Sequence, residues 1–356
     1  MALKMLVRIG AIAALTWAGG LAAAAEPVTL RVIGPANNGT SWKMFYRPFF
    51  EETLPAMSEG KINVELTSLT DMGIKGPEVF RLVRLGVTDI ATTVAGYTSG
   101  EVAELDGYDL TGAVQDIDTL QNVVDAYTPA ITKIMDERVG VTVLGLYPSV
   151  PQGLWCAAPI SGLEDIKGKK VRVFSATQAD LITAIGGTPV TLAFAEVVPA
   201  LQRKVIECAV TGTLSGNISK WPEVTTHLYP INMGWSLYLV VANTTNWNAL
   251  SEENRNFILD KLHSEMIADA WQLARDGDQQ GIWCSTGDSR CTYGEAEFVT
   301  PYDLELVPVT DEDKAQIREL VRTVQLPKFA ERCGTECVQE WNATVGEVLG
   351  IQASAE

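Results

Sequence analysis

Apolar and polar positions alternate along residues 28–34 (VTLRVIG) with the two-residue period of a strand. Asn37, Asn38, Gly39 and Thr40 follow as a loop with helix-cap chemistry. A helix is then predicted from Ser41 to Met57, with Trp42, Phe45, Phe49 and Leu54 near one face. The same reading gives a strand over 62–68, a helix over 76–86, a strand over 89–93, a helix over 117–137 and a strand from Val141 to Tyr147. Strands alternating with helices predict a parallel, doubly wound sheet. Beyond Pro148 the stretch Gly168–Gly212 repeats that rhythm as strand, helix, short strand, helix, strand. An apolar strand follows at Leu237–Asn243, then a long helix from Glu252 to Arg275 with Phe257, Ile258, Leu262, Met266, Ala270 and Leu273 at helical spacing. A loop carrying Cys284 and Cys291, a strand from Leu304 to Pro308 and helices over 311–332 and 338–349 complete the chain. The pattern therefore predicts two α/β units, with a helix long enough to brace both.

One position breaks the pattern. Arg172 stands between Val171 and Val173 and just before Phe174, in an otherwise apolar strand. Lys169 and Lys170 precede the strand and can reach water. A guanidinium keeps its proton and is costly to bury without an anion. A protein carboxylate (Glu164, Asp165 or Glu196) or a ligand carboxylate must supply that anion, and the two alternatives stand side by side at this point.

The ends and the cysteines set the compartment. Residues 1–25 carry Lys4 and Arg8, a short apolar run and Ala22–Ala25, which is the pattern of a secretory signal peptide cut after Ala25. No later stretch approaches the ~18 consecutive apolar residues of a membrane span. The six cysteines fit an oxidising compartment. Chain proximity pairs Cys284 with Cys291 and Cys333 with Cys337, which leaves Cys156 with Cys208. Zinc is disfavoured because the chain has only two histidines, His227 and His263, and no Cys-x-x-Cys. The formal charge of −17 becomes −19 once Lys4 and Arg8 leave with the leader. Such a surface repels nucleic acid and anionic lipid, so an anionic ligand needs a local cation.

The segments around Arg172 resemble a known family. Leu163-Glu164-Asp165-Ile166-Lys167-Gly168-Lys169-Lys170-Val171-Arg172, then Ile185-Gly186-Gly187-Thr188-Pro189-Val190, then Phe194-Ala195-Glu196-Val197-Val198-Pro199-Ala200-Leu201-Gln202, are similar in kind and spacing to the DctP-type solute-binding proteins of TRAP transporters. Gly86-Val87-Thr88-Asp89-Ile90 and Val241-Ala242-Asn243 with Trp247-Asn248-Ala249-Leu250-Ser251 extend the match over most of the mature chain. The resemblance implies an α/β, two-lobed periplasmic binding protein that closes like a clamshell, with residues 252–275 as the helix bracing both lobes. It implies lobe I from 26–149 plus about 240–282, and lobe II from about 150–239 plus 283–356. It also implies periplasmic capture of an organic acid, delivery to membrane permease subunits, and no catalysis, cofactor or metal. Arg172 matches the family arginine that binds a carboxylate. The dicarboxylate binders carry a second arginine in the crossing strand, and Pro148-Ser149-Val150-Pro151-Gln152-Gly153-Leu154-Trp155 has none here. A monocarboxylate such as an aromatic or sugar acid is therefore favoured over a C4-dicarboxylate.

Further ligand candidates follow from position. Thr40 and Trp42 open the first long helix. Ser175 lies at the carboxyl end of the Arg172 strand, where open α/β sheets bind ligands. Asn217 sits in the polar loop after Thr211, Trp221 and Trp235 offer an aromatic wall, and Gln152, Thr93 and Tyr97 lie at strand or hinge ends. Glu196 is expected to cap its helix rather than touch ligand. A binding protein for an ATP-driven importer or sensor, and a secreted hydrolase, are the alternative functions. The hydrolase lacks support: there is no G-x-S-x-G elbow, P-loop or G-x-G-x-x-G.

Overall fold

The computed structural model describes residues 27–293 and 298–354, so the leader and its cleavage after Ala25 lie outside the described residues. In chain order the strands are β1 (Val28–Gly34), β2 (Ile62–Ser68), β3 (Ile90–Val94), β4 (Val141–Pro148), β5 (Gln152–Cys156), β6 (Lys170–Val173), β7 (Thr188–Thr191), β8 (Cys208–Gly212), β9 (His227–Tyr229), β10 (Leu237–Asn243) and β11 (Glu305–Leu306). They form two sheets, ordered β2-β1-β3-β10-β4 and β11-β9-β5-β8-β6-β7. In the first sheet β1 pairs in parallel with β2 and β3, whereas β10 runs antiparallel to both β3 and β4. The expectation of a parallel sheet is corrected at β10. That strand enters directly from the other lobe instead of through a crossover helix, and so runs the opposite way.

The lobes are joined by β4–β5, by β9–β10 and by a brace. The first two connections pair with each other: Gln152 N–H donates to Gly234 O at 2.8 Å, Met233 N–H to Gln152 O at 2.9 Å, and Ser149 N–H to Ser236 O at 3.1 Å. Asp109 holds the second crossing from the side, one carboxylate oxygen accepting from Trp235 N–H at 2.8 Å and Ser236 N–H at 2.9 Å. Ser236 adopts a left-handed backbone with φ 58°, a conformation that is uncommon outside glycine.

The brace is helical without a break from 252 to 285, ten residues past the expected end at Arg275, and takes Cys284 into its last turn. At ~1.5 Å per residue it spans about 50 Å. Its early part packs Ile258, Leu262, Met266 and Ala270 with Leu144 and Val240 of the first lobe, and Ile282 packs with Trp155 and Trp221 of the second. Gly277 and Gly281, on the brace beyond Arg275, are points of close approach. A Cβ on Gly281 would lie 2.3 Å from the backbone nitrogen of Leu214, in the helix Thr213–Ile218.

The tail departs from the expected lobe assignment. Ile317, in Asp311–Leu320, packs with Val307 and Leu163 of the second lobe. From Val321 onward the chain returns: Phe329, Val338 and Trp341 join Tyr108 and Tyr127 in the first lobe's core, and Trp341 Nε1 donates to Gly107 O at 2.8 Å. Assigning all of 283–356 to lobe II is therefore corrected. The apolar face of Leu326–Trp341 is buried by the first lobe. Arg332 on that helix reaches both lobes, with 3.3 Å to Asp106 and 2.6 Å to Asp180. Disulfides join Cys156 to Cys208, Cys284 to Cys291 and Cys333 to Cys337.

Two predictions follow from this frame. Gly281→Ala should cost about 1–3 kcal/mol by overpacking the brace against Leu214, read as a lower urea midpoint. Burial pushes the Asp109 carboxyl up to about 6. A carboxyl raised in the fold costs stability as it ionises, so this contribution is favourable below its ordinary value near 4 and is lost as pH rises through about 6. Asp109→Asn keeps an acceptor for both N–H groups without that charge. Its stability relative to wild type should rise between pH 4 and pH 7, by urea denaturation at each pH, and a constant difference would refute the assignment.

Candidate functional site

Between the lobes lies a cleft of about 230 Å³, on the small side of the ~300–1,000 Å³ of drug-sized sites. Arg172 forms part of its wall from β6, an interior strand of the second sheet flanked by β7 and β8. It is 1% exposed, among the most buried large side chains of the protein. Its Nε donates to Leu192 O at 3.0 Å, one terminal nitrogen to Val210 O at 2.7 Å, and the other to the Tyr97 hydroxyl at 3.3 Å. The rings of Phe174 and Phe194 lie 5.1 and 5.9 Å from the guanidinium carbon. None of these partners is a carboxylate. A guanidinium has five N–H donors in a rigid fork, so these bonds leave one N–H on each terminal nitrogen. That pair has the spacing of a bidentate carboxylate contact. Burial pulls the Arg172 pKa down, and the neighbouring Tyr97 and Glu196 oppose that pull.

The first lobe supplies the facing wall. Tyr97 packs directly against Gly76, where a Cβ would run into its ring, so glycine at 76 leaves room for the phenol that reaches Arg172. Thr93 lines the cleft with its hydroxyl on Gly76 O at 3.3 Å, and Thr40 meets Ser215 of the other lobe at 3.3 Å. Gln152 also lines the cleft; its amide nitrogen is used by Val150 O at 2.8 Å, which leaves its carbonyl oxygen. At the rim, Lys75 Nζ pairs with Glu196 Oε1 at 3.3 Å across the lobes. Glu196 caps its helix as expected, accepting from Ala193 N–H at 2.9 Å, but it is a wall residue as well. The Ala193 N–H, then Lys75 and Arg172, hold its carboxyl below the usual range.

Arg172, Thr40, Gln152, Thr93 and Tyr97 thus converge on one cleft, and five other candidates lie elsewhere. Trp42 belongs to the first lobe's core beside Tyr46, because its position on the helix faces the sheet. Ser175 caps the helix Ala176–Ala184 through Gln178 N–H at 3.2 Å. Asn217 spends its amide inside the second lobe, donating to Ser285 Oγ and Thr300 O and accepting from Thr300 N–H. Trp221 is fully buried behind Phe194, stacked at 5.6 Å, and forms a second layer rather than the wall. Trp235 packs in the first lobe's core with its indole N–H on Val114 O at 3.2 Å. Sequence reasoning missed Phe174, Phe194, Tyr238 and Lys75 as wall residues. Phe174 was legible, since it lies two positions after Arg172 and so shares its side of the strand. Lys75 sits in a loop and carries no sequence signal.

The cleft and its frame agree with known proteins. The family model described as bacterial extracellular solute-binding protein, family 7, matches residues 37–282. The C4-dicarboxylate-binding periplasmic protein DctP of Rhodobacter capsulatus is 24% identical over 300 residues, which is 84% of this chain and 85% of that protein. A Bordetella pertussis extracytoplasmic solute receptor binding pyroglutamic acid superposes with a TM-score of 0.75 at 19% identity, over 91% of this chain and 99% of that one. A TRAP periplasmic solute-binding protein from Desulfovibrio salexigens with bound orotic acid gives 0.77 at 17% identity, over 90% and 98%. With two lobes, a brace and a buried arginine in the cleft that has no carboxylate partner among the described residues, the chain belongs to the family 7 bacterial extracellular solute-binding proteins, the DctP-type binding subunits of TRAP transporters.

Proposed function

We propose that this protein captures a small organic acid with a single carboxylate in the periplasm and hands it to a TRAP permease, with Arg172 as the carboxylate clamp. The observation that carries this reading is a fully buried guanidinium that keeps an N–H free on each terminal nitrogen and has no carboxylate partner among the described residues. The charge balance supports one carboxylate rather than two. Among the described residues the cleft wall holds two cations, Arg172 and Lys75, and one anion, Glu196. A mono-anion neutralises that set, and a dianion leaves an uncompensated charge out of water, which is costly. The relatives differ in the acids they hold, and the charge count is what favours one class for this cleft. Phe174, Phe194, Tyr97 and Tyr238 give the wall four rings, which suits a planar or aromatic body.

Arg172→Ala should weaken binding of the best monocarboxylate by about 3 kcal/mol, roughly a hundredfold, by calorimetry. Arg172→Lys keeps the charge but not the fork, and should recover only part of the loss. Full affinity in a folded Arg172→Ala protein refutes the clamp.

Ligand class is tested by thermal shift, because a ligand bound only by the folded state raises the melting temperature. Orotate, pyroglutamate, benzoate and galactonate, screened against succinate and malate at equal concentration, should include the largest shift. A larger shift with either dicarboxylate overturns the single-carboxylate reading while leaving the arginine's role to the variant test.

A further inference from the structure

We propose that Lys75 is a positioning residue for ligand binding: by holding Glu196 at the rim, it keeps the one carboxylate of the described cleft wall off Arg172. The inference rests on the reading of Arg172 as the clamp. It answers why a buried guanidinium stays without a counter-ion when a carboxylate lines the same cavity. Glu196 Oε1 is taken by Lys75 at 3.3 Å and Oε2 by Ala193 N–H at 2.9 Å, while the partners of Arg172 are Leu192 O, Val210 O and Tyr97 Oη. Glu196 nonetheless lies within the electrostatic reach of Arg172, each charge favouring the other's ionised form. The Lys75–Glu196 pair is largely exposed, at 64% and 44% of the side chains. Such a pair contributes little to stability, so its effect is where it parks the carboxylate. Lys75 comes from the first lobe and Glu196 from the second, so the pair forms as the lobes meet. Without Lys75, Glu196 is free to swing onto the buried guanidinium and occupy the two N–H groups meant for a guest.

The test uses Lys75→Met, Glu196→Gln and the double variant. Gln at 196 keeps an acceptor for Ala193 N–H, so the helix start is preserved. A ligand-free crystal structure of Lys75→Met should show the Glu196 carboxylate within hydrogen-bond distance of Arg172. With pyroglutamate as probe in calorimetry, Lys75→Met should bind at least tenfold more weakly than wild type, and the double variant should return to within about threefold. A purely structural role for Lys75 predicts no such rescue. Glu196 remaining on Ala193 N–H with Arg172 unpaired in the Lys75→Met crystal, or equal affinities for the single and double variants, overturns the proposal. The crystallographic arm decides alone where wild type does not bind pyroglutamate. Loss of binding in Arg172→Ala together with an unmoved Glu196 in Lys75→Met sinks this inference and leaves the clamp standing.

Discussion

The structure is organised around a cation taken out of water with no carboxylate partner among the described residues. Removing a guanidinium from solvent costs several kcal/mol, and two carbonyls, one phenol and two aromatic faces offset only part of it. The carbonyls come from Leu192, just after β7, and from Val210 in β8, the strands on either side of Arg172. The sheet therefore fixes the fork before any ligand arrives. What remains unsatisfied is one N–H on each terminal nitrogen of a side chain that lines the cleft. Pre-organised donors of this kind bind a carboxylate without having to be ordered first.

Tyr97 ties that site to the opposite lobe. Its hydroxyl is the one Arg172 partner contributed by the first lobe, and it reaches there because residue 76 is glycine. Lobe separation and Arg172 solvation are therefore coupled: parting the lobes removes a hydrogen bond and admits water to the guanidinium. Thr40 to Ser215 and Lys75 to Glu196 also cross the cleft, and Arg332 crosses behind it. The polar contacts at the cleft are single and long or exposed, whereas the Asp106–Arg332–Asp180 set and the Asp109 grip on the crossing backbone are more buried. The more exposed contacts thus lie at the mouth, and the more buried ones at the crossings and behind the cleft. This arrangement assigns the motion to the mouth and the pivot to the crossings.

The sequence revealed Arg172 because a charge inside an apolar strand is a contradiction that only a specific partner resolves. It revealed the two α/β units and the brace because both rest on periodicity. The other failures share a cause: side-chain identity does not report which layer a residue occupies. Trp221 and Trp235 were expected at the wall as large aromatics and Trp42 at the opening of the first long helix, but each has a core to fill, and Trp221 supports the wall only through Phe194. Asn217 has ligand-like chemistry and uses it to pin Thr300 and Ser285. Gly277 and Gly281 weigh against helix by propensity, and tertiary packing against Leu214 overrides that. The tail's return to the first lobe follows from a burial pattern around Phe329, Val338 and Trp341 that gives no hint of its partner surface.

The overall charge completes the physical picture. A chain of net −17 presents a repulsive field to any organic anion at long range. At a physiological ionic strength near 0.15 M that field is screened within about 8 Å, so it slows encounter modestly and does little to a solute already inside the cleft. There the local balance is positive by one unit, with Arg172 shielded from water and Lys75 at the rim. Selection is thereby separated from attraction. The surface does not gather anions indiscriminately, and a solute's contribution is made inside a cleft of about 230 Å³, where the buried fork and the rings of its wall lie.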